Sequence, residues 1–301
     1  MALLLHVLML FLLSGGSARV VTDFEHECGG FFAGGKSPTG FSGPQYKQIC
    51  QTLNIPYYAT YYDTDNKIPV YSAYRFEEKI NCTRKNNWYI EPQLDDETAG
   101  PNMASEGSVK KRGDHQALNK DYKNSGYDRG HLAPVYLARS QSCAHATFTL
   151  TNAAPQNSSF NSGQWRVLEA QIANELVNQC LKTYTVLIVT GVVPGTEKLK
   201  NRVNVPSHFW TAYCCLDNNN KCQISRGFIG ENKNITPQNI TVKGLETELA
   251  KLYKVSSFEV FHSSTAPKLI EKNYRAVMKP PLLSLMLLHK THPLTEVNGR
   301  Y

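Results

Sequence analysis

Residues 127–169 gather polar side chains whose types suit chemistry better than packing. The run Asp128-Arg129-Gly130-His131 leads, through an apolar stretch at 132–137, to Asn152-Ala153-Ala154-Pro155-Gln156 and then to a segment that opens at Asn161 and ends in Trp165-Arg166-Val167-Leu168-Glu169. A core has no use for Asp, Arg and His in succession, because a buried charge is costly unless paired. Metal-dependent attack of water on a phosphodiester uses all of these types. It needs a base, a cation to neutralise the phosphate and leaving oxygen, and a donor to fix the non-bridging oxygens. Neutral imidazole suits the base because its ordinary pKa lies near neutrality. A hard divalent ion prefers oxygen and keeps several waters, so one Asn carbonyl can be its only protein ligand, and it acts as a Lewis acid on the phosphate. The planar fork of Arg129 matches phosphate oxygens.

These residues need elements to hold them. The sequence predicts a strand carrying 128–131, a return strand ending at Asn152, a short Pro155-Gln156 loop and a helix from about Asn161. Trp165, Leu168, Ile172 and Leu176 recur at helical spacing and give that helix one apolar face. Asn161 also fits a helix N-cap, with Gln164 completing the capping box. Hairpin and helix together set His131 across from the first helical turn, with room for one ion between them.

The three motifs resemble those of the DNA/RNA non-specific endonucleases of the ββα-metal superfamily, in order and in spacing. Further matches at Tyr71-Ser72-Ala73-Tyr74-Arg75, Glu91-Pro92-Gln93-Leu94-Asp95-Asp96, Gln116-Ala117-Leu118-Asn119 and Thr190-Gly191-Val192-Val193-Pro194 make the chain similar to a secreted branch of that family over most of residues 20–265. The resemblance implies an α+β, ββα-metal (His-Me finger) fold with a central, mostly antiparallel sheet flanked by helices. It implies hydrolysis of DNA and RNA with little sequence preference, Mg2+ or Mn2+ as cofactor, and allows a homodimer. By the same resemblance His131 is the general base, Asn161 the metal ligand and Arg129 the phosphate stabiliser, while Asn152 and Gln156 orient the site and meet substrate. Glu169 stands about 80° around a regular helix from Asn161, so a metal-bound water is its expected partner. The family uses an arginine just before an Asn-Trp pair; here Arg84 stands slightly upstream of Asn86-Asn87-Trp88 and is the residue for that substrate contact. Asp128 is expected to orient the site and Trp165 to pack in the core. The alternative is a secreted nucleic-acid- or ligand-binding protein on the same scaffold, with weak or lost catalysis.

The rest of the chain points to a secreted body. Residues 3–13 are apolar except for His6 and precede Ser14-Gly15-Gly16-Ser17-Ala18, which reads as a signal peptide over 1–18 cleaved after Ala18. The run is too short to span a bilayer comfortably. Eight cysteines, an even number, suit an oxidising compartment. Cys28 and Cys50 can close one loop, and Cys214-Cys215 beside Cys222 resembles a hairpin staple plus a longer bridge. Cys143-Ala144-His145 lacks the second half of a zinc site. Sequons stand at Asn81, Asn157, Asn234 and Asn239; a glycan at Asn157 would crowd the site, so that one is expected to be bare. The net charge of +7 suits a polyanionic partner without requiring one.

One domain is expected over 19–270, followed by a tail over 271–301. Residues 57–71 read as a strand, a polar turn and a second strand, residues 183–191 as a strand buried on both faces, and 209–215 with 222–229 as a pair joined by Asp217-Asn218-Asn219-Asn220-Lys221. Val242, Leu245, Leu249 and Leu252 mark a helix packed on the sheet. Asp95-Asp96-Glu97 reads as a solvated loop. Lys110-Lys111-Arg112 fits either a phosphate contact or a surface loop, and residues 282–288 either a packed helix or an interfacial segment.

Overall fold

The computed structural model describes residues 19–262 apart from 53, 54 and 79. The expected signal peptide, the boundary at 270, the tail and the apolar run at 282–288 lie outside the described residues. Ten strands matter here: β1 (Arg19–Val21), β2 (Tyr46–Thr52), β3 (Pro56–Asp63), β4 (Ile68–Phe76), β5 (Tyr127–His131), β6 (Ala153–Asn157), β7 (Thr185–Val193), β8 (His208–Leu216), β9 (Cys222–Glu231) and β10 (Gln238–Ile240). Four helices accompany them: α1 (Phe24–Cys28), α2 (Gln141–Ala146), α3 (Arg166–Gln179) and α4 (Val242–Tyr253).

Eight strands form one sheet in the order β1-β2-β3-β4-β7-β8-β9-β10, every neighbouring pair antiparallel. The central strand β7 alternates between two cores, with Ile188 and Val192 on one side and Val189 and Val193 on the other, so it is apolar along nearly its whole length. The first core packs α3, through Leu168, Ile172 and Leu176, and the β5–β6 hairpin against Tyr58, Tyr74, Phe209 and Phe228. The second buries Phe24 of α1 and Leu245 and Leu249 of α4 around Trp210. The functional stretch lies wholly on the first face.

Local chemistry explains the turns. Asp63 Oδ1 accepts from the amides of Asp65 and Asn66 at 2.9 and 3.0 Å, closing the β3–β4 turn where the polar run was read. Asp217 Oδ1 does the same between β8 and β9, accepting from Asn219 and Lys221. Disulfides join Cys28 to Cys50, Cys180 to Cys215 and Cys214 to Cys222. The last two are the longer bridge and the staple expected around the paired cysteines. The acidic run departs from expectation. The Asp95 carboxylate is buried, and it accepts from the amides of Gly113 and His115 and from Gln116 Nε2 at 2.7–2.8 Å. It organises the following loop instead of facing solvent. The basic run is exposed surface, with Lys111 3.5 Å from Asp96.

Candidate active site

β5 and β6 pair antiparallel, with Asp128 opposite Gln156, Gly130 opposite Ala154 and His131 opposite Ala153. The return strand is therefore Ala153–Asn157 and not the segment ending at Asn152. Residues 141–146 fold as α2, and Leu150–Asn152 form a single tight turn. The Asn152 side chain explains the shift. It is fully buried; Oδ1 accepts from Ser72 Oγ and the Ala133 amide at 2.9 Å, and Nδ2 donates to the carbonyls of Ala133 and Thr147 at 2.9 and 3.0 Å. These bonds hold the chain in a turn just where a strand was expected, and pairing starts one residue later. Glycine is required at 130, since a Cβ there would lie 2.3 Å from Gln156 Oε1 and 2.6 Å from Gln156 Cβ.

His131 is buried at 8% exposure between two rings, Trp88 at 4.7 Å and Phe148 at 4.9 Å between centroids. Its Nε2 has no hydrogen-bond partner among the described residues. Burial lowers its pKa to about 3, and the charge of Arg84 pushes the same way, so the ring is neutral near pH 7. Arg84 is exposed on an irregular segment, its guanidinium 5.4 Å from the Phe148 ring centroid. Arg129 lies 5.6 and 5.3 Å from the ring centroids of Trp88 and Tyr122 and donates Nη2 to Asn119 Oδ1 at 3.1 Å. Its Nε is buried without a partner among the described residues.

The helical segment begins earlier than expected. Asn157, not Asn161, is the cap: its Oδ1 accepts from the amides of Ser159 and Phe160 at 3.1 Å. Ser158–Phe160 and a wide turn over Asn161–Trp165 then lead into α3. Gly163, at φ −101° and ψ −109°, departs from helical geometry inside that turn. An extra residue in a wide turn sets the following helix back by about 100°. The offset expected on a regular helix therefore does not carry across this turn. Asn161 Nδ2 donates to Asp128 Oδ2 at 2.9 Å, and Ser158 Oγ donates to Asp128 Oδ1 at 2.9 Å, so Asp128 ties the helix start to β5. Glu169 borders a cavity of about 10 Å³ with Leu132, Trp165 and Thr190. Burial raises its carboxyl to about 8, against the opposing pull of Arg84 and Arg166.

Arg84 thus sits close enough to act on both His131 and Glu169, while Asn161 joins β5 through Asp128. Asn152 and Gln156 are placed differently. Asn152 has no exposed polar atom for substrate, because each is already bonded inside the frame, and its position is that of a clamp. Gln156 is fully buried beneath Gly130, and neither amide atom has a partner among the described residues. Trp165 packs against Phe160 and Phe209, in the core as expected. The sequence motif does not point to Phe148, Tyr122 or Asn119; the wall around His131 and Arg129 comes from separate elements, Trp88 and Phe148 facing the first and Asn119 and Tyr122 the second, which no local pattern signals.

The family model described as DNA/RNA non-specific endonuclease matches residues 37–264. The endonuclease domain-containing 1 protein of Homo sapiens is 38% identical over 195 residues, covering 63% of this chain and 39% of the relative. Mitochondrial endonuclease G of Bos taurus is 38% identical over 111 residues, covering 32% of this chain and 36% of the relative. The chain thus spans well under half the length of these relatives. A solved structure, that of the EndoG/EndoGI complex, superposes with a TM-score of 0.51 at 22% identity, covering 78% of this chain and 91% of that one, which establishes likeness of fold. The match over residues 37–264 makes this chain a member of the DNA/RNA non-specific endonuclease family.

Proposed function

We propose that this protein is a secreted, metal-dependent nuclease that hydrolyses phosphodiester bonds in DNA and RNA with little sequence preference. The observation that carries the reading is the buried His131 with its unpartnered Nε2, on a strand whose Asp128 also fixes the amide of Asn161. The imidazole is neutral and its Nε2 is open to accept a proton from water; burial makes it a weaker base than a free imidazole, and negative charge developing on the phosphate beside it would offset that loss. Arg129, steadied by Asn119 and lying between two rings, presents its remaining donors to a non-bridging phosphate oxygen. Arg84 adds a second positive charge beside His131. Glu169, held largely protonated near pH 7, donates or relays a proton at its carboxyl.

The donor set fits a hydrated hard ion. Asn161 gives Nδ2 to Asp128 and so turns Oδ1 away from it, leaving that oxygen for Mg2+ or Mn2+. Among the described residues no group of three or more His, Cys, Asp or Glu can hold an ion, so a closed zinc-type cage does not fit. When bound, such an ion supplies charge neutralisation at the phosphate and the leaving oxygen. The leader-like sequence and the three disulfides support export, and no described helix is long and apolar enough to cross a membrane.

The test is nicking of supercoiled plasmid and hydrolysis of RNA by the purified full-length protein, with Mg2+ or Mn2+, with EDTA, and with His131→Ala. Cleavage that needs the ion and is lost in the variant is expected. A wild-type protein that leaves both substrates intact with every divalent ion tried rules the reading out.

A further inference from the structure

Six of the eight cysteines are joined in disulfides, which leaves thiols at Cys82 and Cys143. Their surroundings are shared. Cys82 lies on a strap, residues 80–88, that forms neither helix nor strand, while Cys143 is buried in α2. The strap docks on α2 beside both of them. The Thr83 amide donates to Gln141 Oε1 at 2.7 Å, and Gln141 Nε2 donates back to the Thr83 carbonyl at 2.9 Å. One side-chain amide two residues before Cys143 therefore grips the backbone of the residue after Cys82. Cys82 packs against the same apolar cluster that buries Cys143. The two sulfurs also lie within electrostatic reach, since burial raises the Cys143 thiol to about 11 and Cys82 adds to the rise.

We propose that Cys82 and Cys143 form a fourth disulfide, which fastens the strap to α2 and so holds Arg84 over Phe148 beside His131. A disulfide donor, either a small-molecule disulfide or a thiol oxidoreductase, supplies the oxidising equivalents. The half-buried Cys82, as thiolate, attacks one donor sulfur and forms a mixed disulfide, and the other donor sulfur leaves as a thiol. The Cys143 thiolate then attacks Cys82 Sγ and displaces the donor sulfur bonded to it, which leaves as the second thiol. In total two cysteine thiols lose two electrons and two protons, and the donor disulfide becomes two thiols. Without the bridge, the strap around Arg84 is held by the Gln141 contacts, the Arg84–Phe148 stacking and the packing of Trp88 on His131. The bridge therefore decides how firmly Arg84 is positioned. Its effect on cleavage rests on the nuclease reading; the bridge itself does not.

The experiment uses the full-length protein as secreted. Free thiols are alkylated, the protein is digested without reduction, and linked peptides are identified by mass spectrometry. A Cys82–Cys143 peptide pair with neither residue alkylated is expected. Alkylation of both with the other three bridges intact, or pairing of either with another cysteine, overturns the proposal. Fastening is tested with Cys82→Ala, whose half-buried position spares the core if Cys143→Ala fails to fold. Trypsin under native conditions should cut after Arg84 and Lys85 about tenfold faster in the variant, since local opening is what the bridge suppresses. An unchanged rate overturns the fastening role. Cys82→Ala should also lower kcat/KM, and adding Arg84→Ala should lower it little further; fully additive losses overturn the link to Arg84. If the wild type cleaves no nucleic acid, the functional reading fails, while peptide mapping and proteolysis still decide the bridge.

Discussion

Asn152 and Gln156 are carboxamides four residues apart at the two ends of the β6 segment, both fully buried, yet their hydrogen bonding is opposite. Asn152 binds four partners from three segments of the chain. Gln156 binds none among the described residues. A buried polar group left without a partner costs about 1–3 kcal/mol, so folding tolerates few of them. Among the described residues, Gln156, His131 at Nε2 and Arg129 at Nε belong to the hairpin, while Gln51, on β2, lies outside it. Around the hairpin the contrast separates a side chain that ties segments of the frame together from side chains that leave polar atoms open. Unsatisfied groups persist where surrounding structure fixes them, and such places are often functional.

The sharpest way to break that contrast is at His131. Replacing it with alanine should cut nucleic-acid cleavage about 10²–10⁴-fold, the usual contribution of a general base, while the protein stays folded by circular dichroism. Its titration gives a second readout. The folded pKa, near 3, lies below the ordinary 6.5, so between those values the unfolded chain takes up the proton first. Stability contributed by neutral His131 is therefore fully present above about pH 6.5 and is lost as pH falls toward 3. The Tm of the wild type should drop more steeply than that of His131→Ala between pH 7 and pH 4; parallel curves would contradict a buried neutral ring.

Next in size is the frame. Asn152→Ala strands the Ala133 amide and carbonyl and the Thr147 carbonyl in a dry interior, and leaves Ser72 Oγ only its bond to Thr60. A loss of about 2–4 kcal/mol is expected, a fall in Tm on the order of 10 °C, with cleavage per folded molecule largely kept at low temperature. If Tm holds and cleavage collapses, Asn152 meets substrate after all, as its motif implied.

How much of this was legible in the sequence depended on range. The turn at 64–67 and the Asp217 turn follow from side chains that bond their own backbone, so local types sufficed. The strand at 185–193 declared itself, two residues early at 183–191, by being apolar on both faces. The return strand did not, because Asn152 turns the chain by bonding Ser72, eighty residues away. The wide turn at Asn161–Trp165 was hidden for a similar reason, since helical spacing assumes a regular turn and Gly163 breaks it. Asp95 looks solvated in the sequence because its partners, Gly113, His115 and Gln116, lie about twenty residues on. At the site, the identities of His131, Arg129 and Asn161 were visible in the motif, but the rings enclosing the first two were not.

Smaller effects probe the open side. Arg84→Ala removes one positive charge from an exposed strap, and a loss of about tenfold in kcat/KM is expected, within the range of one charge-assisted contact. The loss should shrink as salt rises, because exposed charges are screened. Gln156→Leu should change least. It replaces two unpartnered amide atoms by carbon of similar volume, so stability should hold or rise by about 1 kcal/mol, in contrast with the cost at Asn152. A substantial fall in stability would mean that Gln156 is satisfied by bound water, and the asymmetry between the two carboxamides would then be one of partner type, water against protein, and not of satisfaction. Unchanged stability with reduced cleavage would instead place the open amide in the service of the reaction, for which a buried group without a structural partner is suited.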